Sequence, residues 1–215
     1  MIATDAELIS QWRNGDRRAG AALFERHYPA IARFFHNKVD DGVRDELVQN
    51  VFLACLENPA GFRGEASFKT YLFGIAHHIL NDFLRARIRK SRREDVAFDV
   101  QSVIDLGQSP EQPMVEHQEQ RALLEALRRI PLDYQVVLEL HYWERLTAAE
   151  IGLAIGIPLG TAKTRLLEGR KALESALTKI DVSREILQST LDDLDGWALR
   201  VRPQIPLIQR DRGSG

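Results

Sequence analysis

The sequence predicts an all-α protein in which two helical domains are joined by an acidic linker. Apolar residues recur at helical spacing between residues 5 and 92 and again between residues 120 and 177. Residues 94–120 instead contain seven acidic residues, no Lys or Arg, and two prolines without a sustained period. With 44% hydrophobic residues in 215, the chain can bury one or two modest cores. We expect domains at 1–93 and 119–180, a flexible linker at 94–118 and a C-terminal extension at 181–215.

Four helices are predicted in the first domain, and the last of them changes character along its length. Apolar residues at helical spacing define each helix, and Asn58-Pro59 ends the third. The fourth begins with aromatic and apolar residues and ends in a basic run from Arg85 to Arg93. This run suits phosphate binding; the alternatives are a solvated face or pairing with the acidic linker. The predicted helices span residues 5–14, 17–37, 41–57 and 67–92.

A helix-turn-helix is predicted at residues 146–173, which makes DNA the first expected partner. Thr147 and Glu150 have the spacing of a capping box at the start of the first helix. Gly156 is expected to end that helix, and Pro158 to open the second. The alternative is a plain helical hairpin with a solvated basic face.

The second helix of this motif separates inward and outward residues. Ala162, Leu166 and Leu173 are expected to face inward, and Gly152 is small where the two helices must cross. The outward residues carry groups that bind phosphates and base edges, and they are Thr161, Lys163, Thr164 and Arg165. Further helices are expected at 120–129, from Pro131 and, in the extension, from Ser183.

The loop before the fourth helix places aromatic rings beside cations. Phe62 and Arg63 lie in a glycine-bearing loop, and Phe68, Lys69 and Tyr71 follow at the helix start. An unpaired base stacks on an aromatic ring with about 1–3 kcal/mol per base while a nearby cation neutralises its backbone. The loop therefore suits a single strand of nucleic acid. The alternative is that the rings are core residues and that Arg63 is only solvated.

The formal net charge of −2 hides opposing blocks. Residues 61–93 contain eight basic and two acidic residues, and residues 121–180 contain nine basic and seven acidic ones. Because phosphates respond to local fields, nucleic-acid binding is compatible with this overall balance.

Several function classes are not supported by the sequence. An apolar run of about 18 residues and a signal-peptide core are both lacking, so we expect a cytoplasmic protein without membrane insertion. Cys55 is the only cysteine and is expected to be buried filler. His77 and His78 are successive on a helix and do not converge on a metal. We find no phosphate loop, HExxH motif or nucleophile constellation, and we expect no cofactor, no metal and no enzyme activity.

Taken together, three stretches resemble the extracytoplasmic-function sigma factors, the small promoter-recognition subunits of bacterial RNA polymerase. Residues 45–53 resemble the polymerase-binding helix of that family, residues 67–85 its promoter-melting helix, and residues 127–173 its reader of the upstream promoter element. The resemblance implies a transcription-initiation factor that binds core RNA polymerase and promoter DNA. An ordinary dimeric operator-binding regulator is the alternative, but it leaves the aromatic loop and basic helix unexplained.

The resemblance also implies three sets of site residues. Binding to core polymerase is assigned to Glu46, Leu47, Gln49, Asn50 and Phe52, of which Phe52 could equally be core. Binding to the melted minus-ten element is assigned to Phe62, Arg63, Ser67, Tyr71, His78, Asn81 and Arg85. Binding to the minus-thirty-five element is assigned to Thr161, Lys163, Thr164, Arg165, Glu168, Arg170 and Lys171.

Three features depart from the family or lie outside its minimal pattern. The family often has a basic residue at the position of Glu168 and an Asn at that of His78. Glu168 either accepts from a cytosine amino group or pairs with Lys171 or Arg165. The extension, with an apolar stripe that includes Trp197, either packs on the preceding domain or inhibits the protein. Family members are commonly held by an anti-sigma protein, so such a partner and self-inhibition are both open.

Overall fold

The computed structural model describes residues 3–58, 61–93 and 116–180, and within these ranges it is entirely helical. The helices are α1 (Asp5–Arg13), α2 (Arg17–His36), α3 (Asp41–Glu57), α4 (Phe68–Arg93), α5 (Glu116–Arg128), α6 (Leu132–Tyr142), α7 (Ala148–Ile155) and α8 (Leu159–Leu177). The prediction of an all-α fold is confirmed, and the four helices of the first domain agree with their predicted bounds to within one residue. The helix expected at 120–129 begins earlier, at Glu116. Residues 94–115 of the expected linker and the whole extension lie outside the described residues.

The first domain is a four-helix core in which α2 is the central element. Helix α2 packs against α1, α3 and α4, and it contributes a nearly continuous buried face. Apolar side chains fill this core, and their burial is the main source of the domain's stability. Its most buried members include Leu23, Ile31, Phe35, Val51, Leu72 and Phe73.

The second domain has a separate core, but α6, α7 and the start of α8 also continue the core of the first. Helices α5, α6 and α8 enclose an apolar cluster, with Leu123, Leu127, Trp143 and Leu173 among its members. Apolar residues of α6 and α7, in contrast, contact the apolar cluster of the first domain. Helix α7, the first helix of the helix-turn-helix, packs directly on α4. The two domains are therefore docked against each other.

Local chemistry fixes the helix-turn-helix as the sequence predicts. The Oγ1 of Thr147 accepts from the Glu150 backbone N–H at 3.3 Å, and the Glu150 carboxylate accepts from the Thr147 N–H at 2.8 Å. Gly156 ends α7 in the left-handed conformation with φ of 71°, which a side chain would disfavour. A Cβ on Gly152 would lie 2.8 Å from the carbonyl oxygen of Ile157, so only glycine permits this close turn.

Cys55 lies in the core of the first domain, as predicted, and burial raises the pKa of its thiol to about 11. Among the described residues, we find no helix with the length and apolar character needed to cross a membrane. The same residues contain no cluster of three or more His, Cys, Asp or Glu side chains suited to a metal ion.

Candidate nucleic-acid interface

The start of α8 presents an exposed polar face above a buried anchor. Ala162 is completely buried against the rest of the motif, and this fixes the rotation of the helix. Thr161, Lys163 and Thr164 are consequently exposed, as predicted. The Thr164 hydroxyl donates to the Gly160 carbonyl oxygen at 3.0 Å, and the charged group of this exposed set is the Lys163 ammonium.

Two arginines of α8 are held by neighbouring groups rather than extended into solvent. The Arg165 guanidinium forms an ion pair with the Asp133 carboxylate of α6 at 2.5 Å. The Arg170 guanidinium lies 5.3 Å from the centre of the Tyr142 ring, within cation–π range. Asp133 is thus a positioning partner that the sequence analysis missed, because no local pattern connects α6 to α8.

Glu168 pairs with a residue of its own helix. The Lys171 ammonium donates to the Glu168 carboxylate at 3.0 Å, across one helical turn. This is the ion pair that the sequence offered as one of two alternatives for Glu168. Because both side chains are largely exposed, the pair contributes at most about 1 kcal/mol and can exchange for another partner.

The loop before α4 holds a group of aromatic rings in contact. The Phe62 ring meets the Phe68 ring edge-on at 5.4 Å and lies 5.6 Å from the Tyr71 ring. The Arg13 guanidinium of α1 lies 5.7 Å from the centre of the Phe62 ring and donates to the Phe62 carbonyl oxygen. Phe68 is core, whereas Phe62 and Tyr71 are half-buried. Arg13 was missed by the sequence analysis because it lies 49 residues away along the chain.

Ser67 has a structural role that the sequence analysis did not assign. Its Oγ accepts from the Thr70 backbone N–H at 3.1 Å and bonds the Thr70 hydroxyl at 2.8 Å. These bonds cap α4, which begins at the next residue. Arg63, also predicted in this loop, is exposed.

Polar residues continue the site along α4. The exposed His78 ring lies 3.2 Å from the Asp82 carboxylate, which also faces Arg85 at 3.6 Å. The Asn81 amide contacts the His77 ring at 3.2 Å. Asp82 therefore introduces a negative charge into the face that the sequence analysis assigned to the melted strand.

The basic end of α4 is only partly available. Arg87 lies 3.6 Å from Asp40, the residue that precedes α3, whereas Arg89 and Lys90 are exposed. The side chains of Arg92 and Arg93 lie outside the described part of the molecule. Pairing of this run with the acidic linker stays a prediction for the same reason.

A cavity of about 530 Å³ opens between the loop, α4 and α7. Phe62, Tyr71 and His78 line one side, and Leu153 and Ala154 of α7 line the other. Its walls are mostly apolar with a few polar groups, which suits a planar, partly polar guest such as a base.

The exposed face of α3 is a separate candidate surface. Glu46 and Gln49 are exposed and Asn50 is half-buried, as expected for a docking face. The assignment of Leu47 to this surface conflicts with its position, because its side chain is 5% exposed and belongs to the core. Phe52 is half-buried against the Phe24 ring at 5.0 Å.

Two leucines extend this face beyond the predicted set. Leu53 and Leu56 are 43% and 46% exposed, which is unusual for large apolar side chains. Together with Glu46 and Gln49 they recur at i+3 and i+4 spacing along one side of α3. That spacing is the signal by which the sequence could have identified them.

Comparison with known families assigns the two domains separately. Residues 23–90 match the family model described as sigma-70 region 2, and residues 120–173 match the one described as sigma-70, region 4. The two matches follow the domain division and together cover more than half of the chain. A helical protein with these two regions is a promoter-recognition subunit. The chain belongs to the sigma-70 family of RNA polymerase sigma factors, in its extracytoplasmic-function group.

Relatives support this assignment over most of the chain. The ECF RNA polymerase sigma-E factor of Haemophilus influenzae is 25% identical over 180 residues, which cover 81% of this chain and 95% of the relative. The RNA polymerase sigma-H factor of Pseudomonas aeruginosa is 26% identical over 183 residues, 80% of this chain and 93% of the relative. The protein is a sigma factor and directs promoter-specific transcription initiation, a regulatory function.

Two solved structures share the fold. The sigma factor RpoE in complex with the anti-sigma factor NepR from Bartonella quintana has a TM-score of 0.61 and 20% identity, and covers 78% of this chain and 99% of its own. CnrH in complex with the cytosolic domain of CnrY has a TM-score of 0.58 and 21% identity, and covers 83% and 99%.

Proposed function

We propose that the two domains of this sigma factor divide promoter recognition, with α8 reading duplex DNA and the loop before α4 capturing a melted strand. The observation that carries the proposal is the aromatic group of Phe62 and Tyr71 at the mouth of a base-sized cavity, beside the exposed Arg63. An operator-binding regulator needs only the helix-turn-helix and has no use for this cavity. A sigma factor that melts its promoter needs both the helix-turn-helix and a site that holds an unpaired base.

On α8, the exposed cluster of Thr161, Lys163 and Thr164 supports a role in the major groove of the minus-thirty-five element. Hydroxyl and ammonium groups at the start of a recognition helix bind base edges and phosphates. Arg165 lies beside this cluster, and Asp133 limits the directions that its guanidinium can take. Arg170, Lys171 and Glu168 are proposed to act near the DNA backbone, with Glu168 weakening contacts to phosphate.

In the first domain, a flipped base is proposed to stack on Phe62 or Tyr71 in the cavity. His78, Asn81 and Arg85 follow along α4, where they would meet the sugar-phosphate backbone of the same strand. Stacking of one base contributes about 1–3 kcal/mol, which is comparable with the cost of unpairing it. Binding energy alone can therefore drive melting without nucleotide hydrolysis. Ser67 contributes indirectly because it caps the helix that carries these groups.

For polymerase docking, we propose the exposed side of α3. Glu46, Gln49, Leu53 and Leu56 combine a carboxylate, an amide and two apolar side chains on one face. Such a face suits a partner helix that offers both basic and apolar groups. Asn50 and Phe52 border it. Because core polymerase is an intracellular enzyme, we place the action of this protein in the cytoplasm.

The proposal is tested by copurification with core polymerase and by transcription from a promoter library. Replacing Lys163 and Arg165 together with Ala should lower affinity for the selected upstream element at least tenfold. Binding should also depend less steeply on salt. The slope of the logarithm of affinity against the logarithm of salt concentration should decrease by about one for each phosphate that the protein no longer neutralises. Core binding should be unchanged.

A matched control is the double variant Lys179→Ala and Arg129→Ala. It removes the same charge from exposed positions at the far end of the domain. Equal loss of DNA affinity in the control would show that net charge, not the face of α8, determines binding. Failure of the wild-type protein to bind core polymerase would refute the proposed function as a whole.

An anti-sigma partner is a further proposal, because the related RpoE is bound to the anti-sigma factor NepR and CnrH to the cytosolic domain of CnrY. Whether the extension at 181–215 packs or inhibits is tested by its deletion. Loss of stability would favour packing, and higher transcription would favour inhibition.

A further inference from the structure

Arg13, the last residue of α1, connects that helix to the loop before α4. Its guanidinium donates to the Phe62 carbonyl oxygen and lies 5.7 Å from the centre of the Phe62 ring, within cation–π range. One side chain therefore contacts both the backbone and the ring of a residue proposed to capture a base. Because the two residues are 49 positions apart along the chain, this contact exists only in the folded domain.

The end of α1 that carries Arg13 is fixed on α2. A Cβ on Gly20 would lie 2.6 Å from the Trp12 ring, so the indole packs directly on the backbone of α2. The Trp12 ring also meets the Phe24 ring edge-on at 5.5 Å. Since Trp12 directly precedes Arg13, this packing sets the point from which the guanidinium reaches the loop.

The opposite end of α1 is held on α2 as well. The Asp5 carboxylate accepts from the Arg26 guanidinium at 2.6 Å and lies 2.8 Å from a ring nitrogen of His27. Between the two ends, Leu8 and Ile9 are buried in the core of the first domain. Helix α1 is therefore a fixed support for its last side chain.

Two glycines shape the loop on either side of Phe62. The Gly61 N–H donates to the Asn58 carbonyl oxygen at 2.9 Å, and a Cβ on Gly61 would lie 2.7 Å from the Tyr71 hydroxyl oxygen. Gly64 has a φ of 77°, which other residues rarely adopt. Glycine loses more conformational freedom on ordering than other residues, so a contact from outside the loop has a large entropic cost to offset.

The bond to the Phe62 carbonyl oxygen fixes more than one residue. A peptide unit is planar, so a donor that holds this oxygen also sets the direction of the chain toward Arg63. Phe62, Arg63 and Tyr71 line the cavity, whereas Arg13 does not. Arg13 is thus placed to order the groups that would contact a base without contacting the base itself.

We propose that Arg13 is a positioning residue for strand capture, which orders the loop so that the Phe62 ring is already oriented when a base enters the cavity. The inference rests on the proposed function of this loop as the strand-binding site. Ordering the loop in advance removes an entropic cost that binding would otherwise bear, and this raises affinity for the strand.

A direct contact between Arg13 and a phosphate of the strand would have a different signature, since this side chain is exposed. A cation that neutralises a phosphate releases a counterion, so its removal lowers the salt slope by about 0.7 for a single strand. A positioning residue changes the affinity and leaves the salt slope unchanged.

The test uses the full chain assembled with core polymerase and a fluorescein-labelled single strand that carries the melted segment of a promoter selected from the library. Fluorescence anisotropy measures strand affinity in Arg13→Ala, Arg13→Lys, Phe62→Ala and the double variant Arg13→Ala with Phe62→Ala. Arg17→Ala is the matched control, because it removes the same charge from an exposed position at the start of α2.

Arg13→Ala should weaken strand binding about tenfold at an unchanged salt slope. Arg13→Lys should bind within about threefold of the wild type, because its ammonium can still donate to the carbonyl oxygen. In the Phe62→Ala background, removal of the Arg13 side chain should change affinity less than about twofold, since no ring is left to orient. Arg17→Ala should match the wild type.

Binding of core polymerase and of the duplex upstream element should be equal in all variants, which excludes a general loss of structure as the cause. Thermal melting by circular dichroism checks the fold directly. If alanine at position 13 lowers the melting temperature, Arg13→Met takes its place, because methionine keeps an unbranched side chain in the helix without a donor or a charge.

Two results would overturn the proposal. One is wild-type strand affinity in Arg13→Ala. The other is an equal loss of affinity in the wild-type and Phe62→Ala backgrounds, and a lower salt slope in that case would identify Arg13 as a phosphate contact. Failure of Phe62→Ala to weaken strand binding would refute the proposed function of the loop. A loss in Phe62→Ala without one in Arg13→Ala would refute only the role of Arg13.

Discussion

Helix α7 is joined to its two neighbours by different kinds of contact. Against α8, within the helix-turn-helix, it packs through buried apolar residues and a turn in which Gly152 leaves no room for a side chain. Against the first domain it approaches α4 closely at Gly74. The same two domains are also joined by two buried ion pairs, Arg33 with Glu144 and Lys38 with Glu139, which we call the charged seam. The contact within the helix-turn-helix is determined by shape and apolar burial, and the contact between the two domains also by charge.

This difference has consequences for function. An apolar contact gains nothing from water when it opens, so the helix-turn-helix should behave as one rigid unit. A contact that contains ion pairs is specific in its geometry but can be rehydrated. Two domains joined in this way can dock in one defined orientation and still separate as intact units.

The largest effect is expected when a side chain is forced into the tight turn. Gly152→Val should place its Cβ 2.8 Å from the Ile157 carbonyl oxygen, a backbone atom that cannot move without breaking the turn. We expect a loss of about 4 kcal/mol in the free energy of unfolding of the second domain, measured by urea denaturation. Gly160→Ala is the control, since nothing lies within 4 Å of its Cβ, and it should be neutral or slightly stabilising.

Substitutions in the charged seam should differ from Gly152→Val, because the loss caused by one substitution can be reversed by replacing the other member of the ion pair as well. Lys38→Met alone leaves the Glu139 carboxylate buried without its cation and should weaken docking by about 3 kcal/mol. Adding Glu139→Leu should restore docking to the wild-type level or above it. Energy transfer between dyes on cysteines introduced at the exposed positions Gln11 and Lys179 measures docking in both variants.

A double variant that is no better docked than Lys38→Met would contradict this account of the seam. The contact between α7 and α8 should be unaffected throughout, because neither Lys38 nor Glu139 belongs to it.

The contacts that sequence could predict are the local ones. The bounds of α3 and the capping box of Thr147 follow from residues within a few positions of each other. Gly152 and Gly156 could be recognised because a short turn restricts their backbone directly. Exposure of Lys163 followed from the period of α8.

The seam could not be predicted, because its partners are far apart along the chain. Arg33 and Glu144 are separated by 111 residues, and Lys38 and Glu139 by 101. Lys38, just past the end of α2, has the character of an ordinary surface lysine in the sequence, and only docking makes it completely buried. Leu47 was misplaced for a related reason, since the period of α3 did not show which side of that helix the core would cover.

The smallest effect we predict is a weakening of docking in mild acid through His77. Burial lowers the pKa of His77. The Asp133 carboxylate of α6 opposes this shift, whereas the nearby positive charges of Arg165, His78 and Lys38 add to it. A lowered pKa means that the docked state binds fewer protons than the separated one, whose histidine should titrate near 6.5. The contribution of His77 to docking is therefore complete above about pH 6.5 and is lost as the pH falls through its lowered pKa.

Energy transfer in the wild type should accordingly decrease as the pH falls from about 7.5 to 5.5. His77→Gln should reduce this dependence, because its amide does not titrate in that range. A slope that is unchanged in His77→Gln would assign the effect to another group, such as His36, whose pKa burial also lowers. Whichever histidine is responsible, the contact between α7 and α8 should be insensitive to pH over the same range, because that contact consists of apolar side chains.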